Sequence, residues 1–217
     1  GADDKGVAVK LLDLFCGAGG AAMGYHRAGF DEIVGVDIKP MPRYPFTFVQ
    51  ADALEYVGVH GGEFDAIHAS PPCQAFSALK NMKNAQYHPD LLTPMRMMLQ
   101  QVDVPYVIEN VYGAPMFHPL VILCGTMFGL ELKDGSGELR RHRIFEHSFP
   151  VGLVPPCRHR NYAVRAYGGG GNSGKTRRTV TVTSHAGGYS RRNGRPSFSR
   201  HARKEAMGID WMTSDEC

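Results

Sequence analysis

No acidic residue falls between Arg158 and Lys204. That stretch holds twelve of the chain's 24 Lys and Arg and none of its 21 Asp and Glu, so the remainder carries twelve basic against 21 acidic groups, a balance of −9. The modest net charge of +3 therefore hides two parts of opposite character. The basic tract is rich in Gly and Ser, with Tyr162, Tyr167, Tyr189 and Phe198 spread through it. Cations on a permissive backbone, interleaved with rings that can stack on bases, suit a nucleic-acid strand. Within it, Thr179-Val-Thr-Val-Thr183 alternates as a strand does, which predicts local order.

Other absences narrow the class. No apolar run approaches the length of a membrane-spanning helix, so no membrane partner is expected. The start, Gly1-Ala-Asp-Asp4, shows no signal-peptide pattern and no initiator Met, which suggests a processed end. The five cysteines (16, 73, 124, 157 and 217) are scattered and odd in number, which argues against a disulfide framework and for a reducing, cytoplasmic setting. No Cys-x-x-Cys pair exists, so Cys124, Cys157, His142, His147 and His159 are not expected to hold a metal. No internal repeat is visible.

What is present is a βαβ rhythm. Val9–Phe15, Ile33–Ile38, 46–50, Phe64–Ala69 and Tyr106–Val111 read as buried strands, with Arg143–His147 a further candidate. Helical spacing over Ala21–Arg27, Ala53–Val57 and Leu91–Val102 falls between them. Alternation of this kind predicts an α/β fold with a mostly parallel, twisted sheet and helices on both faces. The rhythm stops after Pro150.

Such sheets place their chemistry just beyond the carboxyl ends of strands. The first strand ends in Asp13-Leu-Phe-Cys-Gly-Ala-Gly-Gly20 and runs into a helix, whose free N–H groups and glycines let a ligand approach closely. Asp37 ends the second strand, where an acid can accept from both ribose hydroxyls; Asp52 ends the third, within reach of an adenine amine. Together they describe a nucleoside pocket. The fourth strand ends in Ser70-Pro-Pro-Cys-Gln-Ala-Phe-Ser77, where two prolines hold the Cys73 thiol on a stiff turn. The long polar stretch after it, 74–89, reads as a loop that can close over nucleic acid. Gly169-Gly-Gly-Asn-Ser-Gly-Lys-Thr176 matches a phosphate loop letter for letter, but a β-branched segment follows it where a helix should open. A cationic turn against a nucleic acid is the better reading.

The Asp13–Gly20 and Ser70–Ser77 segments, together with Glu109-Asn-Val111 and Arg141-His-Arg-Ile-Phe145, resemble the ordered motifs of the cytosine-C5 DNA methyltransferases over residues 9–150. The small size and compact motifs are most similar to orphan enzymes of phages or their bacterial hosts, which places the protein in the cytoplasm of a bacterial or phage-infected cell. The resemblance implies a Rossmann-like S-adenosylmethionine-dependent methyltransferase fold. It assigns S-adenosylmethionine to Phe15, Gly17, Ala18, Gly20, Asp37, Ile38, Asp52, Ala53 and Pro72, with S-adenosylhomocysteine as product. Cys73 becomes the nucleophile that adds to C6 of a flipped-out cytosine, Glu109 the partner of N3 and the exocyclic amine, and Arg141 with Arg143 the holders of the base carbonyl and the thiolate.

Double-stranded DNA is the expected partner. Gln74, Ser77, Lys80 and Lys83 in the loop, and Arg165, Lys175, Arg177, Arg178, Arg191 and Arg192 in the basic tract, are the expected contacts. The domains implied are a catalytic domain over 1–150, a reduced recognition region over 151–202 and a returning helix over 203–217. The family's last, Asn-containing motif should follow Trp211 and does not, so a second subunit or a further C-terminal segment is expected to complete the cofactor site. Two rival functions stand beside this one: methylation of RNA, as in a tRNA-directed branch of the family, and DNA binding with weak catalysis.

Overall fold

A computed structural model describes residues 8–73, 76, 89–131, 137–157, 159 and 178–180. The chain divides into two compact units, one drawn from 1–121 and 144–152, the other from 122–143 and 153–217. Among the described residues no helix is long and apolar enough to cross a membrane.

The first unit is built as the rhythm predicts. Strand β1 (Lys10–Leu14) leads to α1 (Gly20–Arg27), β2 (Glu32–Asp37), β3 (Thr47–Gln50), α2 (Ala53–His60), β4 (Ala66–Ala69), α3 (Leu92–Val102) and β5 (Tyr106–Val111). Two further strands, β6 (Leu120–Cys124) and β8 (His142–His147), pass from one unit into the other. The sheet order is β3-β2-β1-β4-β5-β8-β6, and every pairing from β3 to β5 is parallel. Between β1 and β4 the order reverses direction, so the carboxyl ends of those two strands flank the crevice where open α/β sheets bind ligands.

Alternation along β1 explains the two layers. Leu12 and Leu14 join Val36, Ile67, Ile108 and the apolar faces of α2 and α3 in one core. Leu11 points the other way and packs with Ile33, Tyr44 and Ala22 of α1. Each fully buried Leu contributes roughly 1.5–3 kcal/mol relative to exposure. Element boundaries shift where backbone chemistry intervenes. β1 stops at Leu14 because Phe15 adopts a left-handed conformation, φ 55°. β4 starts late, at Ala66, because Asp65 turns its carboxylate to the Lys10 N–H at 2.7 Å. β6, an apolar run after Pro119, was not anticipated by the periodicity.

One buried ion pair ties α3 to β8. The Arg96 guanidinium donates to both carboxylate oxygens of Glu146, at 2.8 and 2.9 Å, and to the Pro115 carbonyl at 2.9 Å. The Phe117 ring lies 4.2 Å from the guanidinium carbon, and the Phe117 N–H donates to Glu146. Both charged residues are only 4% exposed.

In the second unit, β7 (Gly137–Leu139) pairs in parallel with β9 (Arg178–Val180). The strand expected at 179–183 thus begins one residue early, and its residues beyond Val180 lie outside those described.

Candidate active site

The turn after β1 carries the first half of the site. Asp37, at the end of β2, accepts the Gly17 N–H at 3.1 Å on one oxygen and the Lys39 N–H at 3.0 Å on the other. It therefore stitches the Gly-rich turn to the neighbouring strand. A carboxylate has about four acceptor positions, so capacity remains for ribose hydroxyls. Gly19, with φ 88°, has the Pro45 ring only 2.6 Å from where a Cβ would stand, so no other residue fits there. Over Gly17 the corresponding space is open, with nothing within 4 Å. Gly20, which is exposed, opens α1, and the helix has no side-chain cap or acidic residue in its first turn. With the Ala22 N–H directed at Asp13, the Gly20 and Ala21 N–H groups are the donors this end offers a ligand.

The adenosine end is mixed. Ile38 is 65% exposed beside Asp37, as an apolar platform for a base requires. Asp52 caps α2, with Oδ1 accepting the N–H groups of Leu54 at 2.8 Å and Glu55 at 3.1 Å. The spacing Asp52-x-x-Glu55 carried that capping signal. Oδ2 is left for a ligand. The Ala53 side chain is buried in the core, so only its main chain can face a ligand; Ala18 is buried as well, and Phe15 packs against the core from its strained turn. Open space over Gly17, an exposed apolar platform and two acids at adjacent strand ends fit a nucleoside.

The second half lies one strand over. In the β4–β5 register Ala69 pairs with Ile108, so Ser70-Pro-Pro-Cys73, past the end of β4, runs beside Glu109-Asn-Val111, the last three residues of β5. Cys73 and Pro72 are half-buried, and the Cys73 carbonyl accepts the Phe76 N–H at 3.0 Å, closing the turn. Asn110, absent from the candidate residues named above, holds the turn in place. Its amide donates to the buried Pro71 carbonyl at 3.1 Å while its Oδ1 accepts the Val111 N–H at 2.9 Å. It anchors the proline turn to β5 and leaves Glu109 on the opposite, less buried face. A polar residue on the buried face of the strand, in phase with Tyr106 and Ile108, was the available signal.

Beneath the site lies a set of buried polar groups. The Tyr44 hydroxyl donates to Asp13 Oδ2 at 3.1 Å, its ring seated on Gly35, where a Cβ would stand 2.2 Å from the ring. Burial, only partly offset by the Tyr44 hydroxyl and the Ala22 N–H, raises the Asp13 carboxyl to about 7. Its register partner across the sheet, His68, sits 3.1 Å from the Tyr25 hydroxyl through Nδ1 and 2.9 Å from the Ser70 hydroxyl through Nε2. Burial lowers that imidazole to about 4.

These two shifts oppose each other in stability. Between about pH 4 and 7 the unfolded chain has lost the Asp13 proton that the folded chain keeps, so this residue makes stability fall as pH rises. Between about pH 4 and 6.5 the unfolded chain holds a proton on His68 that the folded chain lacks, so the histidine makes stability rise with pH. Asp13→Asn is therefore expected to gain, relative to the parent, roughly 3 kcal/mol between pH 4 and 6.5, at 1.4 kcal/mol per pH unit. Urea midpoints across that range measure it; an unchanged slope would show the carboxyl to be ionised in the fold.

Arg141 immediately precedes β8 and Arg143 lies within it, donating to the His142 carbonyl at 2.9 Å. Both belong to the second unit. Gln74, Ser77, Lys80, Lys83, Arg165, Lys175, Arg177, Arg191 and Arg192 lie outside the described residues, and Arg178 opens β9. A broad cleft of about 780 Å³ in the first unit, lined by Gln100, Tyr106, Phe117 and Phe149 among others, contains none of the motif residues. The expectation of no metal ligands rested on the lack of a Cys-x-x-Cys pair. Four of the five residues concerned, Cys124, His142, Cys157 and His159, nonetheless converge, while His147 is bonded to the Phe149 carbonyl at 2.6 Å.

With this geometry in place, the similarity to known proteins acquires a location. Residues 9–115 match the family described as C-5 cytosine-specific DNA methylase. Type II methyltransferase M.AgeI of Thalassovita gelatinovora is 29% identical over 121 residues, 48% of this chain and 28% of that protein. Type II methyltransferase M.AquIA of Picosynechococcus sp. is 33% identical over 122 residues, 48% of this chain and 49% of that protein. The matches thus span between about a quarter and a half of the relatives' length. A solved SAM-dependent methyltransferase from Agrobacterium tumefaciens is 18% identical, with a TM-score of 0.37 over 52% of this chain and 41% of that one. The matched segment starts at β1 and ends four residues past β5, so it holds the Gly-rich turn, Asp37, the Cys73 turn and Glu109: it is this part of the chain that matches the C-5 cytosine-specific DNA methylase family.

Proposed function

We propose that this protein is a DNA cytosine-5 methyltransferase that uses S-adenosylmethionine and a covalent Cys73–C6 adduct. The observation that supports this best is the pairing of Cys73 and Glu109 on adjacent strand ends, locked by the Asn110–Pro71 bond, on the edge that also carries the Gly17 turn and Asp37.

Cytosine C5 is a poor nucleophile until a nucleophile adds at C6. The Cys73 thiolate supplies that electron pair, forming the S–C6 bond, while Glu109 shares a proton with N3 and offsets the charge that develops on the ring. Bound S-adenosylmethionine would supply C5 with an electrophilic methyl group, its sulfonium serving as a neutral thioether leaving group. Loss of the C5 proton to a base then allows the C6–S bond to break, and Cys73 returns as thiolate. Asp37 and Asp52 are proposed to orient the cofactor's ribose and adenine. The roles of Arg141 and Arg143, holding the base carbonyl and the thiolate, rest on the Arg-x-Arg motif. Attack on C6 is impossible within a stacked duplex, so the base must be flipped out, at a cost of a few kcal/mol. The cations between Arg158 and Lys204 are proposed to hold the DNA backbone.

Labelled S-adenosylmethionine offered with duplex DNA and with tRNA tests the reading. Label is expected in the DNA, and bisulfite sequencing of that product locates the methylated cytosines. Label in tRNA alone would overturn the choice of substrate, and label in neither would favour a DNA-binding role.

A further inference from the structure

Within the second unit, four ligand-bearing side chains from three separate stretches meet at one point. Cys124 ends β6, His142 begins β8, and Cys157 and His159 follow Leu153 outside any helix or strand. Their ligand atoms all fall within 4.8 Å of one another. His159 Nε2 is 3.4 Å from the Cys124 sulfur and 2.9 Å from the Cys157 sulfur, and His142 Nε2 is 3.5 Å from the Cys157 sulfur. The two imidazoles meet edge to face, with centroids 5.0 Å apart and planes at 80°.

A tetrahedron with zinc–sulfur bonds near 2.3 Å and zinc–nitrogen bonds near 2.05 Å has sulfur–nitrogen edges of about 3.6 Å. Two of the three measured edges match that length, and the third needs to open by under an ångström. We propose that Cys124, His142, Cys157 and His159 form a tetrahedral zinc site. Two thiolates and two imidazoles are a donor set that selects zinc over harder cations such as magnesium or calcium. All four positions come from the protein, so no position stays open for substrate, and the site is structural. The Thr126 hydroxyl supplies an outer hydrogen bond, 3.4 Å from the Cys124 sulfur and 3.5 Å from that of Cys157.

The set arises without a Cys-x-x-Cys pair. Cys157 and His159, two positions apart, both reach the same point, their ligand atoms 2.9 Å from each other. Along β8 strand alternation places His142 on the face opposite Arg143, so a metal there would clamp the Arg-His-Arg segment from the side away from its arginines. Binding costs two thiol protons, which are released as the sulfurs coordinate. The inference stands independently of the proposed reaction.

The full-length chain, purified without chelator and analysed for metal, is expected to carry one zinc per molecule. Chelator-treated protein refilled with cobalt(II) should show tetrahedral d–d bands and thiolate charge transfer. Cys124→Ser and Cys157→Ser should each lose at least about nine-tenths of the zinc. Cys157→His, which exchanges one ligand for another, should retain it, and Cys73→Ser should hold as much as the parent. Because a serine variant can fail by misfolding, the parent alone gives a second readout: its thermal midpoint should fall on chelation and recover on adding zinc. Zinc well below stoichiometric after refilling, an octahedral cobalt spectrum, or a midpoint indifferent to chelation would each overturn the site.

Discussion

Cys73→Ser is expected to abolish the covalent complex with DNA containing 5-fluorocytosine and to lower methyl transfer by at least about 10³-fold, the scale of loss when a covalent nucleophile is removed. Fluorine at C5 cannot leave as a cation, so once C5 has taken the methyl group there is no C5 proton whose loss could expel the thiolate, and enzyme and DNA stay joined. The adduct reports the thiol's chemistry directly, and denaturing gels read it as a shifted band. Serine preserves the size and the turn, because the groups that shape it are the Pro71 and Cys73 carbonyls, bound by Asn110 and the Phe76 N–H. A hydroxyl, however, is almost never deprotonated at neutral pH and cannot supply the electron pair. DNA binding measured at the same time should survive, since the backbone contacts are proposed to come from the cations between Arg158 and Lys204 and not from the thiol. A trapped band persisting in the serine variant would move the nucleophile elsewhere in the chain.

Breaking the buried Arg96–Glu146 pair should produce the largest loss of stability of any single change proposed. Glu146→Gln leaves an arginine charge buried among Pro115, Phe117 and the sheet without its counter-ion, at a cost of about 3–5 kcal/mol. The amide keeps an acceptor for the Phe117 N–H, so the loss measures the charge rather than an orphaned donor. Adding Arg96→Met removes the stranded charge and fills its volume with an apolar chain. The double variant should therefore recover at least roughly 1 kcal/mol of the loss, as paired removal of buried charges commonly does. Equilibrium urea unfolding of the three variants and the parent decides it. A double variant as unstable as the sum of its singles would show that the two side chains act independently, against the 2.8 Å geometry.

Both predictions rest on groups of different legibility. Cys73 could be found because its signal is local: an apolar run, two prolines and a thiol in consecutive positions say where a strand ends and what stands there. The Gly-rich turn and Asp37 are legible for the same reason. Their function is written in backbone conformation, which a few adjacent residues control. Asp52 shows the limit of that method. A strand-end acid reads as a ligand group, yet half of its carboxylate caps α2, and only the Glu55 spacing hinted at it.

Arg96 and Glu146 lie 50 positions apart, and each taken alone reads as a surface charge on an amphipathic element. The same holds for Asp13 and Tyr44, 31 apart, and for Asn110 and Pro71, 39 apart. Such pairs depend on which strand lies beside which, and no local preference encodes that.

By itself, then, the amino-acid sequence determined the alternation of strands and helices, the turn that opens α1, and the thiol at the end of β4, because periodicity and backbone restriction act over a few residues. Tertiary structure alone decided which polar groups are buried in pairs, that Asp13 holds its proton to about 7, and that two cysteines and two histidines from three stretches converge. Burial and convergence are set by the packing of distant segments, and the low dielectric and fixed geometry that give those groups their chemistry exist only once the chain has folded.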